Sequence, residues 1–335
     1  MWQTVGHDRV VDSLRRSLRE GRASHAYLLA GPSQVGKMTL ALDLARALNC
    51  TGDEAPCGEC GQCTRISRGL HADITIVDRR AGDSGDGRPR VLIGIDQVRE
   101  LQRQAGLKPY EGRCRVFVFD GAELLSEEAS NSLLKTLEEP PDQVALLLLT
   151  TDTAGLLPTI ISRCHVLELR RLPVDLVSSE LQSRLQVGAA DADEVARLSE
   201  GRLGWALEAA AGPETLQGLE EALDAVQDAV RGGVEARFAY AAGLASTFSG
   251  NREAGRHDLA LWLAWWRDVM MVKHGTAGLV THRSAIASFE SVAGALSSSQ
   301  VVAAIQAVRQ GIDHLERNVN PRLALEYMML AMPRP

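Results

Sequence analysis

A buried strand that runs into a glycine-rich loop and out again into a helix leaves few folds open, and residues 26–48 are such a passage. The apolar run Ala26-Tyr27-Leu28-Leu29-Ala30 is followed by Gly31-Pro32-Ser33-Gln34-Val35-Gly36-Lys37-Met38. Leu40, Leu44, Ala47 and Leu48 then recur at one-face helical spacing. The glycines let backbone N–H groups close around phosphate oxygens at a helix N-terminus, and the lysine adds positive charge toward the β and γ positions. Gly31, Gly36 and Lys37 are therefore candidate nucleotide-binding residues. The plain alternative is a glycine-rich turn that binds nothing. Where a P-loop carries Ser or Thr to hold Mg²⁺, this chain has Met38, a poor ligand for a hard cation. Thr39 follows, rotated by about 100° around the helix. Phosphate binding can survive this change while metal-assisted hydrolysis weakens, so ATP and Mg²⁺ stay open as ligands.

Further strand patterns occur at 74–77, 116–119, 145–149 and 166–169, with helical patterns at 96–105 and 127–138 between them. This alternation implies βαβ units and a mainly parallel sheet, hence an α/β fold. After Pro173 the strand signal ends. Residues 173–210 read as a small helical domain and the remainder as helical throughout, with a long amphipathic helix at 298–317. Asn320-Pro321 supplies a cap and a favoured first-turn proline. The polar, Gly-rich residues 83–90 read as a mobile surface loop. At 335 residues and 45% apolar the chain has material for two or three domains with a sizeable core. Its net charge of −7 argues against gripping nucleic acid by bulk positive charge. No run of 18 apolar residues occurs and residues 1–9 show no secretory pattern, so a cytoplasmic location is expected.

Four of the six cysteines, Cys50, Cys57, Cys60 and Cys63, fall between the glycine-loop helix and the second strand with spacing C-x6-C-x2-C-x2-C. Such spacing suits a structural Zn²⁺ site with four thiolates and no open coordination position. An iron–sulfur cluster and free or redox thiols are the alternatives. Cys114 and Cys164 are expected to be small buried side chains. The strand Val116-Phe117-Val118-Phe119 ends in Asp120, which resembles a Walker B carboxylate acting toward Mg²⁺. Gly121 stands where an active hydrolase places a glutamate to polarise water. Glu123 either reaches that water or simply begins the next helix.

Several stretches then converge. They are His25-Ala26-Tyr27-Leu28-Leu29, the four-cysteine insertion, and Ile95-Asp96-Gln97-Val98-Arg99. Asn131-Ser132-Leu133-Leu134-Lys135-Thr136-Leu137-Glu138-Glu139-Pro140-Pro141 and Ser162-Arg163-Cys164 complete the set. Together they resemble the bacterial DNA polymerase III clamp loader, an AAA+ family. The resemblance is carried by motifs over roughly residues 1–210. Beyond that it rests on general pattern, including Asn318-Val319-Asn320-Pro321-Arg322-Leu323. It implies an AAA+ P-loop domain with a zinc module (1–172, the cysteines at 50–63), a helical lid (173–211) and an all-α collar (212–335). Met38, Gly121, a glycine in Gly201-Arg202-Leu203-Gly204 where motor subunits carry arginine, and a length with no room for a long tail set the chain apart from gamma/tau. They favour the delta-prime branch, with weak or absent ATPase activity of its own.

The resemblance further implies a hetero-pentamer with gamma/tau and delta subunits, acting on a sliding clamp and on primer–template DNA. In it Arg163 would serve as a trans arginine finger in a neighbour's ATP site, against the plain reading of an ordinary dipole partner at a helix end. Thr150, at the end of the fourth strand, sits where AAA+ proteins place a γ-phosphate sensor. Arg99 and Arg103 share one helical face, either solvated or set against DNA phosphates. Trp262, Trp265 and Trp266 read as helix core or collar interface. The rival functions are a catalytic clamp-loader ATPase of gamma/tau type and an independent P-loop DNA-repair ATPase. A zinc-dependent oxidoreductase is disfavoured, because four thiolates leave no catalytic opening.

Overall fold

The computed structural model describes residues 1–78, 92–317 and 319–335, with the backbone alone at residue 253. The loop expected at 83–90 and Asn318 lie outside the described residues. The elements are α1 (Asp8–Arg19), β1 (Ala26–Ala30), α2 (Lys37–Asn49), α3 (Gly61–Ser67), β2 (Ile74–Val77), α4 (Ile95–Ala105) and β3 (Arg115–Asp120). Next come α5 (Glu127–Glu138), β4 (Val144–Thr150), α6 (Pro158–Ile161), β5 (His165–Glu168), α7 (Val174–Leu185), α8 (Ala189–Leu198) and α9 (Leu203–Ala211). The helices α10 (Pro213–Arg231), α11 (Val234–Gly250), α12 (Arg252–Lys273), α13 (Ile286–Ala295), α14 (Ser298–Glu316) and α15 (Pro321–Leu330) complete the chain. The chain divides into two units, Met1–Leu207 and Glu208–Pro335.

The first unit holds a five-stranded, wholly parallel sheet in the order β2-β3-β4-β1-β5. A parallel sheet is covered on both faces, so its central strands are near-continuous apolar runs, and Val144–Thr150 is buried from end to end. The period of two divides those side chains between two cores. Leu28, Phe117, Phe119, Leu146 and Leu148 pack under α4 and α5. Tyr27, Leu29, Val116, Val118, Leu147 and Leu149 pack with α1 and α2 on the other face. The ends of the helices follow from sequence. Ser126 caps α5 by accepting from Ala129 N, and Gln97 closes a capping box with the backbone of Gly94 at the start of α4.

The second unit is all helical. Trp262, Trp265 and Trp266 of α12 are fully buried, as their helix-core reading expected, and the Trp262 indole donates to Tyr240 Oη at 3.0 Å. Asn320 caps α15 through Leu323 N with Pro321 in the first turn. No single helix among the described residues is long and apolar enough to cross a membrane.

Candidate functional site

The glycine loop lies at the C-terminal end of β1, between neighbours that fix its shape. Gly31 N donates to Thr150 O at 3.1 Å, extending the β1–β4 ladder into the loop. A Cβ on Gly31 would lie 2.2 Å from Leu169 O, so only glycine fits there. Gly36 takes φ +105 at the N-cap of α2. Lys37 is buried, and its ammonium donates to Gly31 O and Pro32 O, both at 2.6 Å. A triphosphate in the loop would compete with these carbonyls for the same charge. Met38 packs against the core that contains Leu40 and Leu44. The side chain that replaced the magnesium hydroxyl therefore serves packing, and Thr39 stands beside it, half-buried.

Two contacts here have no counterpart in the sequence motifs. His7, buried before α1, donates from Nε2 to Val35 O at 3.1 Å. Gly204, at the second position of α9, donates its N–H to Gln34 O at 2.9 Å. A Cβ at 204 would sit 3.1 Å from both the Cβ and the carbonyl oxygen of Gln34. Gly204 is thus a backbone contact with the loop. The contact joins residues 170 positions apart, which no local pattern marks.

Asp120 emerges at the exposed end of β3. Partial desolvation, with the carboxylates of Asp78 and Glu123 nearby, raises its pKa, while Lys37 acts in the opposite sense. Glu123 accepts from both the backbone N–H of Thr151 (3.1 Å) and its hydroxyl (2.6 Å). Its Oε2 is buried without a hydrogen-bond partner among the described residues. Glu123 thus lies beside the strand-end threonines as well as opening a 3₁₀ turn. Thr150, in contrast, is buried and its hydroxyl closes a local turn, donating to Asp152 O at 2.9 Å and accepting from Asp152 N at 3.0 Å. Asp120 and Lys37 would hold the magnesium–phosphate group of a bound nucleotide, with Met38 contributing no oxygen.

Three motif stretches meet at the C-terminus of α5. His25 donates from Nε2 to Leu137 O at 3.0 Å, and Glu138 pairs with Arg163 at 2.6 Å. The Arg163 guanidinium also donates to Thr159 O at 3.0 Å. It stays about one-third exposed, at the turn between α6 and β5. The pairing of an exposed carboxylate with a partly exposed guanidinium is a weak tether.

The four cysteine sulfurs all lie within 4.8 Å of one another. Four thiolates around one Zn²⁺ at about 2.3 Å stand about 3.8 Å apart, so the cluster fits the ion. The local backbone already favours negative sulfur. Gly52 N and Cys57 N point at Cys50 Sγ, Cys60 N at Cys57 Sγ, and Cys63 N at Cys60 Sγ. Backbone N–H groups of Cys60 and Glu59 lower the Cys57 pKa. At Cys60 desolvation is outweighed by hydrogen bonds from Thr51 and Cys63, bringing it to about 5. Burial pushes Cys63 up to about 12. A metal bound here supplies no reaction; it would join α3 to the end of α2. Cys114 and Cys164 are half-buried rather than buried, because each packs only at the margin of a core.

The two basic residues weighed for phosphate contact lie on the solvated side of α4, where Arg99 faces Asp96 and Arg103 pairs with Glu100 at 2.6 Å. Arg115 turns inward to Asp73 at 3.1 Å.

This parallel sheet, with its glycine loop, strand-end aspartate and following helices, defines a P-loop nucleotide-binding domain of the AAA+ class. The family model described as DNA polymerase III, delta subunit, matches residues 6–173. The chain belongs to that family. It is also 38% identical over 180 residues to DNA polymerase III subunit tau of Escherichia coli K12, covering 53% of this chain and 26% of that protein. DNA polymerase III subunit gamma of Buchnera aphidicola is 35% identical over 194 residues, covering 57% of this chain and 50% of that protein. The chain therefore spans between about a quarter and a half of the length of these relatives. A solved DNA polymerase III gamma subunit-related protein from Thermotoga maritima superposes with a TM-score of 0.41 at 20% identity, over 96% of this chain and 97% of that one.

Proposed function

We infer that this chain is a non-motor, delta-prime-type subunit of a replicative clamp loader. It is organised as an AAA+ domain (1–172), a helical lid (173–211) and a collar (212–335). It assembles with gamma/tau and delta subunits into a hetero-pentamer that places a sliding clamp on primer–template DNA. Within that ring it lends Arg163 to the ATP site of a neighbour, where a guanidinium stabilises charge on the transferring phosphoryl oxygens. Zn²⁺ on Cys50, Cys57, Cys60 and Cys63 is structural.

The observation that carries the reading is the contrast between two sites on one domain. Among the described residues Arg163 is held by a surface pair, a helix-end carbonyl and a long contact to the Ser162 hydroxyl. The chain's own loop has Met38 committed to the core and the backbone of Gly204 set on Gln34. Identity to tau and gamma relatives favours a second reading, a catalytic ATPase of gamma/tau type. One experiment separates them: ATP turnover by the isolated chain, and by the assembled loader carrying wild-type or Arg163→Ala chain. The non-motor reading expects negligible turnover alone, unchanged assembly, and loss at the neighbour's site on the order of 10³–10⁵. Turnover in the assembly that ignores Arg163→Ala overturns the finger, and vigorous turnover alone overturns the division of labour.

A further inference from the structure

At the end of the sheet opposite the glycine loop, the segment between α4 and β3 is bound down along its length. Asp73, fully buried, accepts from Tyr110 N (2.7 Å), Glu111 N (2.9 Å) and Gly112 N (2.8 Å), and from the Arg115 guanidinium. Asn49 Oδ1 accepts from Arg113 N and Cys114 N. The same segment is sewn to the residues after α3. Glu111 accepts from Ala72 N and pairs with Arg65, whose Nη2 donates to Leu70 O, and a Cβ on Gly112 would lie 3.1 Å from the His71 ring.

So rigid a mounting carries an unusual load. Tyr110 is 84% exposed, Leu70 64% and Leu107 55%. Arg68, Lys108 and Arg113 are exposed on the same two segments, and no carboxylate pairs with them among the described residues. Arg65 and Arg115, by comparison, are both neutralised. Three apolar side chains and three uncompensated cations on a preformed support make a surface whose ordering entropy is already spent before a partner arrives.

We propose that this face, beside the four-cysteine module, docks an acidic peptide segment with an aliphatic or aromatic anchor, contributed by another protein. The cations of Arg68, Lys108 and Arg113 complement the partner's carboxylates, and Leu70, Leu107 and Tyr110 receive its apolar side chain. Single-stranded nucleic acid fits less well. Sequence-tolerant strand binding uses successive aromatic platforms, and here one aromatic stands beside two leucines, which have no π-face.

The test is fluorescence anisotropy with the full, zinc-loaded chain and a labelled Asp-Asp-Leu-Asp-Asp-Phe peptide at about 0.15 M salt, where surface charges still act over about 8 Å. The expected result is saturable binding that weakens at least about tenfold in Lys108→Glu/Arg113→Glu and in Leu107→Ser/Tyr110→Ser. It should also be lost when the peptide's aspartates become asparagines. All four substituted side chains are exposed, so the variants retain the fold, checked by their melting curves. Absence of saturable peptide binding, or binding that ignores both variants, overturns the proposal. So does a short oligothymidylate that binds through the same residues while the peptide does not.

Discussion

Arg237 on α11 is 3% exposed and faces no carboxylate, yet all five of its N–H donors are used. Nε donates to Ala229 O (3.2 Å) and Nη2 to Val230 O (2.8 Å), both in the last turn of α10. Nη1 reaches Met329 O (3.3 Å) and Met332 O (2.8 Å), and Nη2 also reaches Pro333 O (2.8 Å), at and beyond the end of α15. One guanidinium thus caps two helices whose final carbonyls have no partner within the helix. Each C-terminus carries about half a negative charge, and two together balance one cation. Burial, with Arg334 nearby, lowers the Arg237 pKa. Charge-assisted bonds contribute about 1.5–3 kcal/mol each, a gross sum that desolvation of the guanidinium cuts by several kcal/mol. Arg237→Met keeps the length and removes every donor, and should destabilise this unit by about 3–5 kcal/mol, as loss of a buried charged partner does. Arg237→Lys, with three donors and no planar fork, should fall between. The assay is chemical denaturation followed by tryptophan fluorescence, because Trp262, Trp265 and Trp266 report on this unit while Trp2 and Trp205 report on the other. An Arg237→Met chain within about 0.5 kcal/mol of wild type, the range of neutral surface changes, would refute the reasoning.

Removing zinc with a chelator, or replacing Cys63 by Ser, should lower the melting temperature of the first unit and abolish bound zinc in elemental analysis; an unchanged melt with metal gone would show that the cluster does not brace α2 and α3. At Asp73 desolvation is outweighed by three backbone N–H groups and Arg115, so the folded pKa lies below the ordinary carboxylate value. Its contribution to stability is therefore complete above about pH 4, the unfolded value, and is lost as pH falls through the depressed folded value. Asp73→Asn should flatten that acid limb in melts recorded at descending pH, and an acid limb identical to wild type would count against the assignment. Gly204→Arg forces a Cβ against Gln34. Strain of about 1–3 kcal/mol should lower the melting temperature without creating ATP affinity, as calorimetric titration would show.

The central strands β1, β3 and β4 were legible because burial on both faces writes itself as apolar runs, while the edge strands β2 and β5 are half open and were marked by short apolar stretches within a residue of where they lie. The cap of α15 was legible because it is local: Asn320 acts on backbone three residues away. What the sequence concealed is long-range. Asp43 receives Gln3 N, Thr4 N and the Thr4 hydroxyl from some 40 positions away, and also pairs with Arg46. Asp73 gathers Tyr110, Glu111 and Gly112 in the same way, and Arg237 reaches across 95 positions to Met332. A lone aspartate or arginine in an amphipathic stretch carries no mark of the carbonyls or amides that will surround it. For Arg99 and Arg103 the solvated reading fits the exposed pairs they make within their own helix, but the basic residues Lys108 and Arg115 that follow read like them in sequence. Only the fold shows that Lys108 stays open while Arg99, Arg103 and Arg115 meet carboxylates.

The glycine loop brings these strands together. In a motor the loop must exchange its partners when nucleotide arrives, so its charge and its N–H groups are held for phosphate. Here the lysine is satisfied by two loop carbonyls, Val35 O by His7, Gln34 O by Gly204, and the residue after the lysine packs against a core. Each contact stabilises one arrangement of the loop, and each would have to be surrendered for tight binding of a triphosphate. A ligand shifts a conformational equilibrium only by its differential affinity for the two states. With no oxygen at Met38 to recruit magnesium, a nucleotide gains less from the alternative arrangement. The features that weaken this loop as a catalyst thus fasten it as a joint between the sheet and α9. A loop fastened in that way is what the proposed non-motor role would require.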